Sequence, residues 1–166
     1  MYNGDSSSEI TEHMQLTRHT DYALRVLIHL AYKGDELSTI REIADKHRIS
    51  ENHLMKVVNK LATLGYIITL RGKGGGMKLA RAPEKIKVGE VIRDTEESLH
   101  VVECMAQDYG GDCALSPSCK LKSVLHEAQA AFFQQLDLYT LQDLAPKRGN
   151  SSAVRFYKKP GILQPA

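Results

Sequence analysis

The chain has 166 residues, of which 42% are hydrophobic and 25% are charged, close to the averages for soluble globular proteins. No stretch approaches the roughly 20 apolar residues of a membrane span, and residues 1–13 lack the apolar core of a secretory signal. We therefore expect a cytoplasmic protein that makes no membrane contact. Three cysteines in such a chain argue against a disulfide framework and leave buried thiols, a redox pair or metal ligation.

The net charge of +2 conceals an asymmetry along the chain. Residues 14–80 carry a net charge of +5, residues 81–144 carry −5, and residues 145–166 contain five basic residues and no acidic one. A basic half beside an acidic half indicates a surface for a polyanion joined to a part with another task, although most charged segments are only solvated faces. We expect a disordered tail over residues 1–13 and a basic flexible tail over residues 145–166.

Two helices are predicted first, from capping residues and apolar spacing. Thr17 and Thr20 are both candidate N-caps of the first helix, whose apolar residues recur at helical spacing until Gly34. Thr39 begins the second helix, and Glu42 lies three residues later, in the pattern of a capping box.

A third helix is predicted to follow Ser50 as its N-cap and to end at Gly65. Its inner stripe is apolar, whereas its outer face carries amide and basic side chains that can read adenine and guanine in the major groove. Two short helices with a tight turn between them form the helix-turn-helix pattern. A solvated polar face is the alternative interpretation of the outer surface. The residues expected to contact DNA from this helix are Ser50, Asn52, His53, Lys56, Asn59 and Lys60.

Two strand-like segments follow at residues 66–71 and 77–80, with a glycine-rich sequence between them. This arrangement predicts a β-hairpin, and a hairpin directly after a recognition helix is a wing. Arg71 and Lys73 lie in it, and a narrow minor groove attracts such cations. A phosphate-binding loop is excluded because no Lys-Ser/Thr pair and no helix follow the glycines. We therefore predict a mainly α protein with a winged helix-turn-helix domain over residues 14–83.

Residues 84–144 are predicted to hold a short helix (about 88–97), a cysteine-bearing cluster loop and a long C-terminal dimerisation helix. Ser116 and Pro117 are the predicted N-cap and first residue of the long helix, and Thr140 caps a last turn after it. About 20 residues give a rod of ~30 Å, which favours a partner helix from a second subunit. Packing against helices of its own chain is the alternative. The apolar stripe of the long helix comprises Leu121, Val124, Leu125, Ala128, Phe132 and Leu136.

The three cysteines follow the spacing C-x8-C-x5-C, at Cys104, Cys113 and Cys119. Three thiolates so close in sequence can converge on one metal centre, and a helix N-terminus favours the thiolate form of Cys119. His100 lies four residues before the first cysteine and could complete a Cys₃His zinc site. A buried free cysteine or an adventitious thiol pair is the remaining interpretation. Spacing alone does not distinguish zinc from an iron–sulfur cluster.

Four segments carry a resemblance to a known group of regulators: MQLTRHTDYALR at residues 14–25, RGKGGG at 71–76, CALSPSCKL at 113–121 and YTLQDL at 139–144. With them the chain resembles the NsrR branch of a bacterial repressor superfamily that also includes IscR, over about residues 14–144. Members of the IscR type carry a ligand histidine just after the last cysteine. Here His126 comes a turn too late, which disfavours that branch.

The resemblance implies a homodimeric repressor of promoter DNA that senses nitric oxide. It implies one 4Fe–4S cluster per subunit, with 2Fe–2S as the alternative, held by the three cysteines. In relatives the fourth ligand can be a carboxylate from the first helix of the partner subunit, and the matching position is Asp21. Arg25, one turn further on, would pair with that carboxylate and orient it.

Other functions are also open. An iron–sulfur or redox-status regulator of the same superfamily and a zinc-stabilised DNA-binding protein are the alternatives. An electron-transfer protein would not need a helix-turn-helix and a wing. An enzyme is not expected because the histidines are scattered and form no recognisable nucleophile–base pair.

Overall fold

The computed structural model describes residues 15–106, 108–111, 113–115 and 118–146. The predicted tail at residues 1–13, the predicted tail from residue 147 onward, and Ser116 and Pro117 lie outside the described residues. The helices are α1 (Arg18–Lys33), α2 (Ile40–His47), α3 (Glu51–Thr63), α4 (Val88–Thr95), α5 (Lys120–Leu136) and α6 (Leu141–Leu144). The strands are β1 (Ile67–Leu70) and β2 (Gly76–Leu79), and short 3-10 turns span Pro83–Lys85 and Glu103–Met105.

The N-terminal helix begins where its sequence predicts. Of the two candidates, Thr17 is the N-cap of α1, and its hydroxyl accepts a hydrogen bond from the Thr20 amide at 3.3 Å. Gly34 ends the helix in a positive-φ conformation, and its amide donates to the Leu30 carbonyl at 3.0 Å. This cap satisfies a carbonyl that would otherwise have no partner at the helix end.

The second helix realises only half of the predicted capping box. The Thr39 hydroxyl accepts from the Glu42 amide at 3.1 Å, as the pattern requires. The Glu42 carboxylate instead lies 3.1 Å from the Lys33 ammonium at the end of α1. The difference arises because a charged partner on a neighbouring helix attracts the carboxylate more strongly than a backbone amide does.

Helices α1, α2 and α3 pack around one hydrophobic core. Their inner faces are apolar at helical spacing, so burial of those faces stabilises the three-helix arrangement. The core extends beyond the wing, because Ile86, Val91 and Leu141 belong to the same buried cluster. Its largest fully buried apolar side chains include Leu27, Leu30, Ile43, Leu54, Leu61 and Tyr66.

The wing is an antiparallel hairpin in which Ile67 pairs with Leu79 and Leu70 pairs with Gly76. The segment before α2 joins it, since Ser38 and Met77 exchange two backbone hydrogen bonds of 3.0 and 2.8 Å. These bonds fix the hairpin against the helix-turn-helix unit. The predicted winged helix-turn-helix fold is therefore confirmed.

The cysteine loop and α5 form an arm that extends from the core after α4 and returns to it at Tyr139. Val88 donates to the Tyr139 carbonyl and Leu141 donates to the Ile86 carbonyl, each at 3.0 Å, so both ends of the arm meet beside α4. Between them, α5 has no fully buried residue. Leu121 and Val124 are each 58% exposed, so the predicted stripe lies open in the single chain.

Two predicted boundaries in this part are wrong. Helix α4 ends at Thr95, two residues earlier than expected, and α5 begins at Lys120 with Cys119 as its N-cap. The start predicted at Pro117 is three residues too early. Apolar residues at helical spacing begin only at Leu121, and burial of such residues supplies most helical stability in proteins. Within the described residues, no helix is long and apolar enough to cross a membrane.

Candidate DNA interface and cysteine loop

Helix α3 presents the side chains that the sequence predicts for DNA contact. Its inner face, led by Leu54 and Leu61, is fully buried. The Ser50 hydroxyl caps the helix by accepting from the His53 amide at 3.4 Å, which fixes the direction of the first turn. The outer set is exposed throughout: Ser50, Asn52, His53, Lys56, Asn59 and Lys60.

One candidate contact on this face is not predicted from the sequence. Met55 is 45% exposed and lies between polar residues on the outer side of α3. An apolar side chain in the major groove can contact the methyl group of thymine. A methionine in an otherwise regular apolar helix pattern is indistinguishable from a core residue, so only its exposure separates it.

The wing holds its two predicted cations at the tip. Arg71 and Lys73 are exposed, and the turn closes with a 2.9 Å hydrogen bond from the Gly75 amide to the Gly72 carbonyl. Gly72 has a φ of 104°, a conformation that L side chains rarely adopt. A Cβ at Gly75 would lie 2.3 Å from the Leu70 carbonyl oxygen. The glycines are therefore required for this tight loop.

The cations on the outer face of α3 and at the wing tip have no carboxylate partner among the described residues. Lys56, Lys60, Arg71 and Lys73 form no ion pair with any carboxylate of the described residues. By contrast, Lys78 in strand β2, away from the wing tip, pairs with Asp35 at 3.0 Å. Four uncompensated cations on one continuous part of the chain make a surface suited to a polyanion.

The base of the wing is joined to α4 by a second polar cluster. The buried Tyr66 donates from its hydroxyl to Asp94 at 2.6 Å, and burial together with this bond raises the pKa of Tyr66. Arg81 lies over the Tyr66 ring at 4.9 Å and pairs with Glu90 at 3.0 Å. These contacts fix where the hairpin leaves the helical core.

A buried polar cluster lies behind the helix-turn-helix unit. The His29 Nε2 atom is 3.2 Å from the Ser38 hydroxyl, and its ring contacts that of His47 edge to face at 5.6 Å between centroids. Burial, followed by the positive charge of Lys46, lowers the pKa of His29 to about 4. The ring is therefore neutral at ordinary pH. It links α1 to the Ser38 segment that pairs with the wing.

The predicted pairing on α1 is confirmed. Arg25 binds Asp21 with two nitrogens on one edge of its guanidinium, at 2.9 Å from Nε and 2.8 Å from Nη2. This bidentate geometry orients the carboxylate, which remains 43% exposed on its side chain. Tyr22 is the next residue after Asp21, and the centroid of its ring lies 6.5 Å from that of the His53 ring on α3. The start of α1 thus contacts the recognition helix.

The cysteine loop follows α4 and ends at α5. Cys104, Cys113 and Cys119 are free thiols, and each is partly buried. Cys119 is the N-cap residue of the 17-residue α5, where the helix dipole favours a negative charge. Three soft thiolate donors suit either an iron–sulfur cluster or zinc.

The single chain does not bring these donors together. The described residues contain no group of three or more His, Cys, Asp or Glu side chains arranged to hold a metal ion. The loop is fixed to α5 from one side, because the Gln129 amide donates to the Leu99 carbonyl. The donor chemistry fits the predicted centre, and the assignment of its ligands stays a prediction.

The chain matches a known family of regulators over most of its length. Residues 16–147 match the Rrf2 model, described as an iron-dependent transcriptional regulator. The chain belongs to the Rrf2 family. The NsrR regulator of Bacillus licheniformis is 53% identical to this Rrf2 protein over 132 residues, which cover 79% of this chain and 92% of that one. The NsrR regulator of Shouchella clausii is 46% identical over 146 residues, covering 87% and 97%.

The fold of the chain is similar to that of a solved transcriptional regulator. The solved structure of CymR, the global cysteine regulator of B. subtilis, matches this Rrf2 protein with a TM-score of 0.65 and 27% identity, covering 80% of this chain and 97% of CymR. The relatives of this Rrf2 protein are named HTH-type transcriptional regulators. It is accordingly a DNA-binding transcriptional regulator and not an enzyme.

Proposed function

We propose that this Rrf2 protein is a homodimeric repressor whose affinity for promoter DNA is controlled by an iron–sulfur cluster that responds to nitric oxide. The observation that carries the proposal is the set of three free thiols, Cys104, Cys113 and Cys119, in one loop beside the winged helix. The relatives named NsrR support the same assignment, as does the description of the family as iron-dependent.

The DNA side of the proposal rests on helix α3 and the wing. The amides Asn52 and Asn59 and the cations Lys56 and Lys60 are exposed along one helix face that fits a major groove. Arg71 and Lys73 at the wing tip are suited to the adjacent minor groove. Because these cations have no carboxylate partner among the described residues, phosphate contacts cost no internal ion pair.

The dimer rests on α5. Leu121 and Val124 are each 58% exposed and Phe132 is 45% exposed, so a stripe of apolar surface runs along the arm. A partner helix at the same stripe would remove this surface from water, at roughly 25 cal/mol per Å². A twofold dimer also matches two half-sites of operator DNA.

The proposed cluster ligands are the three thiols and, from the first helix of the partner subunit, Asp21. When bound, the cluster supplies iron that reacts with nitric oxide. The exposed carboxylate of Asp21 is held by Arg25 at 2.8 Å, so it is oriented before any ligand is bound. An oxygen ligand would be weaker than a thiolate on iron, so nitric oxide would displace it more readily than a thiolate.

The chain also joins the loop to the recognition helix. The Glu96 carboxylate, eight residues before the first cysteine, accepts hydrogen bonds from the Thr17 amide at 2.8 Å and its hydroxyl at 3.2 Å. Helix α1 therefore begins on the segment that leads into the cysteine loop. Since α1 packs against α3, a rearranged loop changes the support of the DNA-reading helix, and the angle between the two winged domains is the element that would switch.

Nitric oxide titration tests this function directly. Cluster-loaded protein, purified without air, is titrated with nitric oxide while the visible absorbance and binding to promoter DNA are followed together. We expect the cluster absorbance and the gel-shifted complex to decline in parallel, with at least a tenfold loss of affinity, or ~1.4 kcal/mol.

Cys119→Ser serves as the matched control. This variant should contain little iron and sulfide and should bind DNA weakly at every nitric oxide concentration, because one soft ligand is lost. Undiminished DNA binding after the absorbance has gone would overturn the sensor function. Stoichiometric zinc without sulfide in the wild type would favour the structural-zinc alternative instead.

A further inference from the structure

The turn between α2 and α3 contains a backbone conformation that an arginine rarely adopts. Arg48 has φ 54° and ψ 44°, in the left-handed region. Among the described residues it is the one non-glycine residue with a positive φ. A side chain in this region brings its Cβ close to the backbone carbonyl, and helix ends therefore usually place glycine or asparagine there.

The hydrogen bonds on both sides of Arg48 impose this conformation. The Arg48 amide donates to the Ala44 carbonyl and closes α2. The amide of Ile49 donates to the same carbonyl at 3.1 Å, and the Ile49 side chain is buried in the core. Ser50 then caps α3. The turn requires the left-handed backbone whatever residue occupies position 48, so the arginine is not explained by the local geometry.

The guanidinium of Arg48 is exposed and forms no ion pair within the described part of the chain. Cations just before it are paired: Lys46 lies 3.9 Å from Glu42, and Arg41 lies 3.9 Å from Glu51. From Arg48 to Lys73 the pattern changes, since none of the five Lys and Arg residues of that segment has a carboxylate partner among the described residues. Arg48 therefore begins the same uncompensated surface as α3 and the wing.

We propose that Arg48 contacts a phosphate of the operator backbone and fixes how α3 sits in the major groove. A recognition helix enters the groove by its N-terminal residues, which brings the preceding turn to the groove edge, where the phosphates lie. Arg48 is two residues before the N-cap of α3. A guanidinium binds a phosphate with two parallel hydrogen bonds, and this favourable contact accounts for an arginine at a position that suits glycine.

This inference rests on DNA binding by the helix-turn-helix and not on the response to nitric oxide. It is tested with full-length, cluster-loaded dimer on two probes of equal length, a duplex selected by the wild type from a randomised pool and a duplex of random sequence. Arg48→Gly keeps the turn and removes the cation, whereas Arg48→Lys keeps a charge at the same site. Lys56→Ala provides a reference for loss of a contact on α3.

For Arg48→Gly we expect the urea midpoint to stay equal to that of the wild type or to rise, because glycine suits the left-handed backbone. Affinity for both probes should fall by a similar factor, about fivefold at ~0.15 M salt, and the slope of log K against log salt should shrink by about 0.9. Arg48→Lys should keep most of the wild-type slope.

A slope and affinity for Arg48→Gly equal to those of the wild type would overturn the inference. So would a loss confined to the selected duplex, because a phosphate contact carries no sequence information. The nitric oxide response is recorded in the same protein. If it fails while the change in salt slope remains, the sensor function is wrong and the Arg48 contact stands.

Discussion

His29 lies fully buried in α1, where burial and the positive charge of Lys46 lower its pKa to about 4. His47 and Lys33 lower it further, and Glu42 opposes them. In the unfolded chain this histidine titrates near its ordinary value of 6.5. Between those two values the unfolded state binds a proton that the folded state does not.

His29 should therefore make the free energy of unfolding fall as the pH is lowered from about 6.5 to about 4, and its contribution should level off below that range. A pKa shift of this size corresponds to about 3 kcal/mol at most. We expect His29→Gln, which keeps a hydrogen-bonding group toward Ser38, to flatten most of this dependence. The measurement is urea unfolding of the metal-free protein across the pH range.

The control for this prediction is His126→Gln, which alters an exposed histidine on α5. It should leave the pH dependence as in the wild type. A wild-type unfolding free energy that stays constant from pH 6.5 to 4, or an unchanged slope in His29→Gln, would show that His29 is not the responsible group.

Contacts between residues close together in the sequence, namely the helix caps and one ion pair on α1, were predictable from the sequence. The caps at Thr17, Thr39 and Ser50 and the pairing of Arg25 with Asp21 depend on residues three or four positions apart, and all are present. The partners of His29 were not predictable. Ser38 lies nine residues away across a turn, so no local pattern in the sequence pairs it with His29.

Helix α5 has no buried residue, although its apolar side chains share one face. Its apolar stripe was predicted correctly as a pattern, and the structure leaves that stripe exposed at Leu121, Val124 and Phe132. Periodicity identifies which residues share a face, but it does not identify what covers that face. For the same reason the sequence left open whether α5 packs on its own chain or on a second one.

Val124→Glu tests the dimer seam. Because this side chain is 58% exposed in the single chain, the fold of one subunit should tolerate the change. In the dimer it would bury an unpaired charge, which is strongly unfavourable. Sedimentation equilibrium should therefore give a monomer, with an unchanged helical circular dichroism signal and weakened operator binding.

Gln134→Glu places the same new charge at an exposed position of α5 that lies outside the apolar stripe. It should remain a dimer and bind DNA as the wild type does. If Val124→Glu also sediments as a dimer with wild-type affinity, the seam lies elsewhere. A wild type that is monomeric at working concentrations would contradict the proposed assembly itself.

Along the whole chain, the charge asymmetry of the sequence follows the order of the structural elements. The segment with a net charge of +5 forms the helix-turn-helix and the wing, and the segment with −5 forms α4, the cysteine loop and α5. Composition and local patterns predicted this layout. The two parts are joined by the hydrogen bond from the Thr17 amide to the Glu96 carboxylate. These residues are 79 positions apart, so no local pattern in the sequence predicts the bond.

The cysteine loop holds the three proposed cluster ligands of one subunit. Cys104, Cys113 and Cys119 follow a spacing that predicts a metal centre, yet the described residues of the single chain form no three-ligand group. Asp21, the proposed fourth ligand, would come from the partner subunit.

Control of DNA binding by the cluster is measured as the operator affinity with and without the cluster, in one preparation purified without air. Iron and sulfide are assayed first, and half of the sample is then stripped with a chelator. We predict iron and sulfide in the untreated half and at least tenfold weaker operator binding in the stripped half, both measured at the same salt concentration. Protein free of iron and sulfide, or equal affinity in the two halves, would contradict the account.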